Sequence, residues 1–147
     1  MFYAITTVAT ALLAGPLIDR LGATRLAPIM LLPLVGALLL AALFSSPWVA
    51  TAYLVLAGAS SGLCQLSVSV LWAELYGVTH IGAVRSLAFA FGVFASALGP
   101  VVVGALMDLG FSIELVYMLF AVYSVAGSAL IGFALARRRR LAYKQRA

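Results

Sequence analysis

The side chains able to do chemistry in this chain are few. Its 147 residues include four acids, nine bases, one histidine and one cysteine. Asp19, Arg20 and Arg25 share one short polar turn that also holds Gly15 and Gly22, and Glu74 and Arg85 flank a second turn that holds His80. Nucleophilic catalysis needs a nucleophile beside a base, and a metal site needs clustered ligands at fixed spacing. Cys64, His80 and the four acids are scattered instead, so an enzyme ranks last and neither a cofactor nor a metal is expected. His80 on its own reads as a surface residue, and a single cysteine rules out an internal disulfide. What the charged residues can do is electrostatic. An acid and two bases in one turn can hold one conformational state by pairing with each other or with a helix N-terminus, and Glu74 with Arg85 can close the second loop.

Recognition of a solute needs polar atoms inside an apolar setting, and two stripes provide them. Tyr3, Thr7 and Thr10 fall at i, i+4 and i+7, with Thr6 beside them. Gly58, Ser61, Gly62, Gln65, Ser69 and Trp72 share one face of a 3.6-residue repeat. Polar atoms in a membrane span are costly without a partner or water, so both stripes should face a bundle interior or a cavity. Gly58-x-x-x-Gly62 reads as a helix-packing motif, whereas Gln65 is either an interhelical clamp or a substrate contact. Farther on, Ala88, Gly92, Ser96 and Gly99 form a ridge of small residues followed by Pro100, which removes a helix hydrogen bond. Close packing is the first reading of that ridge, and a bend at a moving interface is the second. No span holds a carboxylate or a lysine, so no proton-relay residue is visible.

The elements that carry these residues follow from composition. With 65% hydrophobic and 9% charged residues and a mean hydropathy of +1.18, the chain cannot bury its apolar surface in a soluble core. A bilayer core of roughly 30 Å needs about 20 apolar helical residues, and helices satisfy their own backbone groups in lipid. Five such spans are expected, over residues 2–18, 26–44, 48–73, 86–107 and 115–136. Turns separate them at Ser45-Ser46-Pro47, from Tyr76-Gly77 to Gly82, and at Asp108-Leu109-Gly110. The first run has no basic leader and no cleavage site, so it does not read as a signal peptide. Bases lie in alternate connections: Arg20 and Arg25, then His80 and Arg85, then the Arg137–Arg140 run. The opposite connections hold only Asp108 and Glu114, so the basic side is expected to be cytoplasmic. Trp48, Tyr53 and Tyr117 at one interface and Trp72, Tyr76 and Tyr143 at the other fit two aromatic belts. Six of the nine bases fall between Arg137 and Arg146, so 137–147 is a basic cytoplasmic tail suited to an anionic leaflet. Binding of nucleic acid is not expected.

The first polar turn also carries a family resemblance. Gly15-x-Leu17-x-Asp19-Arg20-x-Gly22, followed by Arg25, resembles the cytoplasmic loop signature of the major facilitator superfamily of secondary transporters. Ala23 and Thr24 depart from it, since a base is common there. The stretches Trp72-Ala73-Glu74-Leu75-Tyr76-Gly77, His80-Ile81-Gly82-Ala83-Val84-Arg85-Ser86 and Phe94-Ala95-Ser96-Ala97-Leu98-Gly99-Pro100 resemble the region of the tenth and eleventh helices in bacterial members. The resemblance covers nearly the whole chain. It implies an all-α membrane protein whose five transmembrane helices are the eighth to twelfth of a twelve-helix fold, a partial C-terminal bundle. It also implies that the first, third and fourth spans line the central pathway and the second and fifth lie outside.

The expected function is therefore secondary transport of a small solute by alternating access, in the inner membrane of a bacterium with the C-terminus cytoplasmic. Asp19, Arg20, Gly22, Arg25, Glu74 and Arg85 are the gating candidates. Tyr3, Thr7, Thr10, Ser61, Gln65, Ser69 and Trp72 are the pathway candidates, and Gly92, Ser96, Gly99 and Pro100 the packing and bending candidates. The partners are the lipid bilayer, a small-molecule substrate and a missing N-terminal half, since the chain starts abruptly inside an apolar run. A non-transporting membrane subunit or a degenerate transporter fragment is the competing class.

Overall fold

The computed structural model describes residues 1–44, 46–77 and 81–144, without the side chains of Tyr76 and residues 138–144. Ser45, Val78, Thr79 and His80 therefore lie outside the described residues, as do the side chains of Arg138 to Arg140 and Tyr143. Six helices follow in order: α1 Phe2–Leu21, α2 Ala23–Leu26, α3 Leu32–Leu43, α4 Pro47–Tyr76, α5 Ile81–Asp108 and α6 Ile113–Lys144. The described chain is all-α. Four of these helices, α1, α4, α5 and α6, are long and apolar enough to cross a membrane. At about 1.5 Å per residue, the 28 residues of α5 exceed the roughly 30 Å of a bilayer core.

The second expected span is where sequence and structure part. Residues 26–44 do not form one helix: α2 is a single turn, residues 27–31 form turns, and α3 has only 12 residues. Pro28 and Pro33 account for the break, because neither can donate the amide that an unbroken helix needs there. The Leu32 amide turns to the Ile29 carbonyl at 3.0 Å, a tighter three-residue step, and regular helical bonding is back by Val35 to Leu31 at 3.0 Å. The break leaves carbonyls that neighbouring helices must satisfy. Ser60 Oγ of α4 donates to the Met30 carbonyl at 2.8 Å, and Ser128 Oγ of α6 donates to the Pro28 carbonyl. A broken span is tolerated in lipid when neighbouring side chains supply such partners.

Packing gathers around α4. On one side α1 and α2 bury Ala14, Ile18, Ala23 and Leu26 against Leu63, Leu66, Val70 and Leu71. On another, α3 packs against α6, burying Val35, Ala37 and Leu38 on α3 and Val116 and Ala121 on α6. In α5 no residue is buried. Its C-terminus is closed by Gly110 at φ 86, where the Gly110 amide bonds the Met107 carbonyl and the Phe111 amide the Leu106 carbonyl, at 2.9 and 3.1 Å. That paired arrangement requires the left-handed backbone that glycine adopts without strain. At the other end of the chain, α6 continues through the arginine run to Lys144. The stretch expected as a separate tail is thus helical over most of its length.

Candidate functional site

Two surfaces of α4 hold most of the polar residues singled out above, and they are built differently. Against α1, Gly58 and Gly62 remove side chains where the backbones cross. A Cβ on Gly58 would stand 2.6 Å from the Tyr3 carbonyl oxygen, and one on Gly62 would stand 2.5 Å from that of Thr7. Thr7 and Thr10 are part of this seam, since their side chains approach those same glycine positions to 3.3 and 3.1 Å. Thr7 Oγ1 donates to the Tyr3 carbonyl of its own helix at 2.8 Å. These two pathway candidates are thus placed beside α4. Tyr3 Oη and Ser61 Oγ share a hydrogen bond of 2.7 Å across the seam's edge.

The α4 stripe then runs onto an open side. Gln65 is exposed and makes no side-chain hydrogen bond within the described chain. Ser69 Oγ donates to the Gln65 carbonyl at 2.7 Å and accepts from Arg85 Nη2 at 3.2 Å. Ser69, Trp72 and Arg85, with Phe89, Gly92 and Ser96, line a cleft of about 400 Å³ between α4 and α5. The small-residue ridge of α5 is therefore not a close-packed seam in this chain. A Cβ on Gly92 or Gly99 would meet nothing within 4 Å. A seam needs a facing groove of small residues, and the glycines of α4 already face α1. Gly99 instead borders a second cavity of about 410 Å³, with Tyr53, Val103, Tyr117 and Ser124. The Tyr53 and Tyr117 rings lie 6.4 Å apart at 45°. Pro100 lies exposed within α5.

The polar turn after α1 is clasped from an unexpected quarter. Glu74 does not pair with Arg85. Its Oε1 accepts from the Ala23 amide at 3.1 Å, tying the last turn of α4 to the start of α2. Gly22, at φ 80, makes the corner between α1 and α2, and its open Cβ position lies 4.0 Å from that same Oε1. Asp19, Arg20 and Arg25 are exposed, and among the described residues Asp19 has no ion-pair or hydrogen-bond partner. Sequence reasoning placed the clamp on Asp19. The Ala23 backbone, Ser60 and Ser128 went unnoticed as partners, because the carbonyls and amide they engage carry no side-chain signal. Ser67 adds a puzzle of the same kind: its hydroxyl is fully buried with no hydrogen-bond partner among the described residues.

Among the described residues no group of three or more His, Cys, Asp or Glu is placed to hold a metal ion. The arrangement offers recognition: one cation, hydroxyls and aromatic faces around an open cleft. A family model described as Major Facilitator Superfamily matches residues 1–147. No curated protein and no solved structure matches the chain.

Proposed function

The chain belongs to the Major Facilitator Superfamily, and we propose that it forms one wall of the solute pathway of a secondary transporter working by alternating access. The observation that carries this reading is the contrast on α4. Its small residues face α1 in a closed seam, while Ser69 and Trp72 line an open cleft with Arg85, and Gln65 of the same stripe lies exposed. In lipid such polar groups are unfavourable unless they meet water, a solute or a second wall. Opposing helices would supply that wall, and rocking of one bundle against the other would expose the cleft to each side in turn. Asp19, Arg20 and Arg25, on the same connection as the Glu74–Ala23 clasp, are suited to hold one of the two states.

Orientation follows from the bases, which put the connection after α1 and the C-terminus on the cytoplasmic side. Membrane vesicles from cells carrying the natural gene test the function. Against a panel of labelled sugars, amino acids, organic acids and organic cations, saturable uptake of at least one solute is expected. Gln65→Leu should change its KM more than the protein's stability. If the protein is in the membrane and no solute is taken up, a non-transporting subunit replaces the transporter.

A further inference from the structure

Among the described residues Arg85 is a cation without a counter-ion. All four acidic side chains of the chain are described, and none pairs with it. Glu74 is engaged by the Ala23 amide, Asp108 closes the far end of α5, Glu114 begins α6, and Asp19 has no partner. Of the five N–H donors on a guanidinium, one has an acceptor among the described residues, Ser69 Oγ at 3.2 Å. The direction of the side chain adds to this. Cβ bonds tilt toward a helix N-terminus, so an arginine in the first turns of α5 would by default extend toward the connection and water. Arg85 turns instead to Ser69, which lies seven residues, about 10 Å, inside the end of α4 at Tyr76.

What surrounds the guanidinium narrows the ligand. The cleft holds about 400 Å³, and apart from Arg85 it is lined by hydroxyl, aromatic and aliphatic groups such as Ser96, Trp72, Phe89 and Val93. That volume falls among small-molecule sites. A dianion would need a second base, and no other base lines the cleft. A planar carboxylate matches the guanidinium fork with two parallel hydrogen bonds. We propose that the α4–α5 cleft binds a small organic monocarboxylate with an aromatic or apolar body. The carboxylate accepts from Arg85, and the body lies against Trp72 and Phe89. The inference rests on the transport reading for its purpose only. Its test reads binding alone, so either can fail without the other.

The chain is placed in phosphatidylcholine nanodiscs with Trp48→Phe, which leaves Trp72 as the one remaining tryptophan of two. Titration with benzoate should change Trp72 fluorescence saturably, and benzamide, of the same shape but uncharged, should bind at least tenfold more weakly. Arg85→Gln should weaken benzoate binding by about tenfold or more, and Arg85→Lys by less, because it keeps the charge and loses the fork. Equal binding of benzoate and benzamide overturns the proposal, and so does unchanged benzoate affinity in Arg85→Gln. If Arg85→Gln loses helical content, Arg85→Lys decides: a several-fold loss supports the site and no loss overturns it. A third arm adds phosphatidylglycerol. Unchanged benzoate affinity supports a solute site, whereas Arg85-dependent displacement by the lipid assigns the guanidinium to a headgroup and overturns the proposal.

Discussion

α4 meets α1 and α5 in opposite ways, and both contacts use small residues. At α1, Gly58 and Gly62 are filled by the neighbour's backbone, with no room for a methyl group. At α5, a Cβ on Gly92 would meet nothing within 4 Å, and the helix buries none of its residues. A small residue is thus no mark of close packing by itself. It marks packing only where the facing helix brings backbone up to it, and otherwise it makes room. The first use stabilises the fold through van der Waals contact. The second leaves a cavity that a ligand can enter.

Substitutions that add volume separate the two uses most sharply. Gly62→Leu should drive a side chain into the Thr7 carbonyl and cost about 3 kcal/mol or more of stability, read by denaturant unfolding in micelles. Gly92→Leu should stay within about 0.5 kcal/mol of the parent. Equal losses would erase the distinction between the sides. Next in size are the hydroxyls that serve the broken span. Ser128→Ala removes the side-chain partner of the Pro28 carbonyl and should cost about 0.6 kcal/mol, the typical value for a hydrogen bond between membrane helices. Ser60→Ala should cost somewhat less, because Cys64 Sγ also donates to the Met30 carbonyl at 3.9 Å. Ser96→Ala on the open side, where the hydroxyl only bonds the Val93 carbonyl of its own helix, should cost less than either. The most local effect is at Glu74. Glu74→Ala frees the Ala23 amide, and the loss of about 1 kcal/mol should raise hydrogen exchange at that amide roughly fivefold, with exchange in the α1–α4 seam unchanged.

The long helices were legible because an apolar run of this length has few alternatives in lipid. The break in the second span was not, although Pro28 and Pro33 stand in plain view. Hydropathy counts their carbons and is blind to the missing amides. The stripe on α4 was legible as a face, since periodicity fixes which residues share one. It could not say which neighbour that face meets, so Thr7 and Thr10, which pack against α4, looked like equals of Ser69 and Trp72, which border the cleft. The ridge on α5 is legible as a face in the same way, and the periodicity names no neighbour for it. Glu74 and Ala23 are 51 residues apart, and no local pattern joins a carboxylate to a backbone amide at that separation. Arg85 was visible as a charge, but its turn toward Ser69 depends on how α5 lies beside α4.

The most direct test of a closed and an open side to α4 is the chemical reach of water. In a Cys64→Ala background, cysteine is placed at Gly92 in the cleft, at Ala14 in the seam, and at Leu130, which lies exposed on α6. Membrane vesicles are treated with a charged, water-soluble thiol reagent on both faces. The open cleft predicts that Gly92→Cys reacts at least tenfold faster than Leu130→Cys, while Ala14→Cys stays unmodified. A Gly92→Cys variant as slow as Leu130→Cys would mean that lipid, not water, fills the space beside α5, and would contradict the pathway.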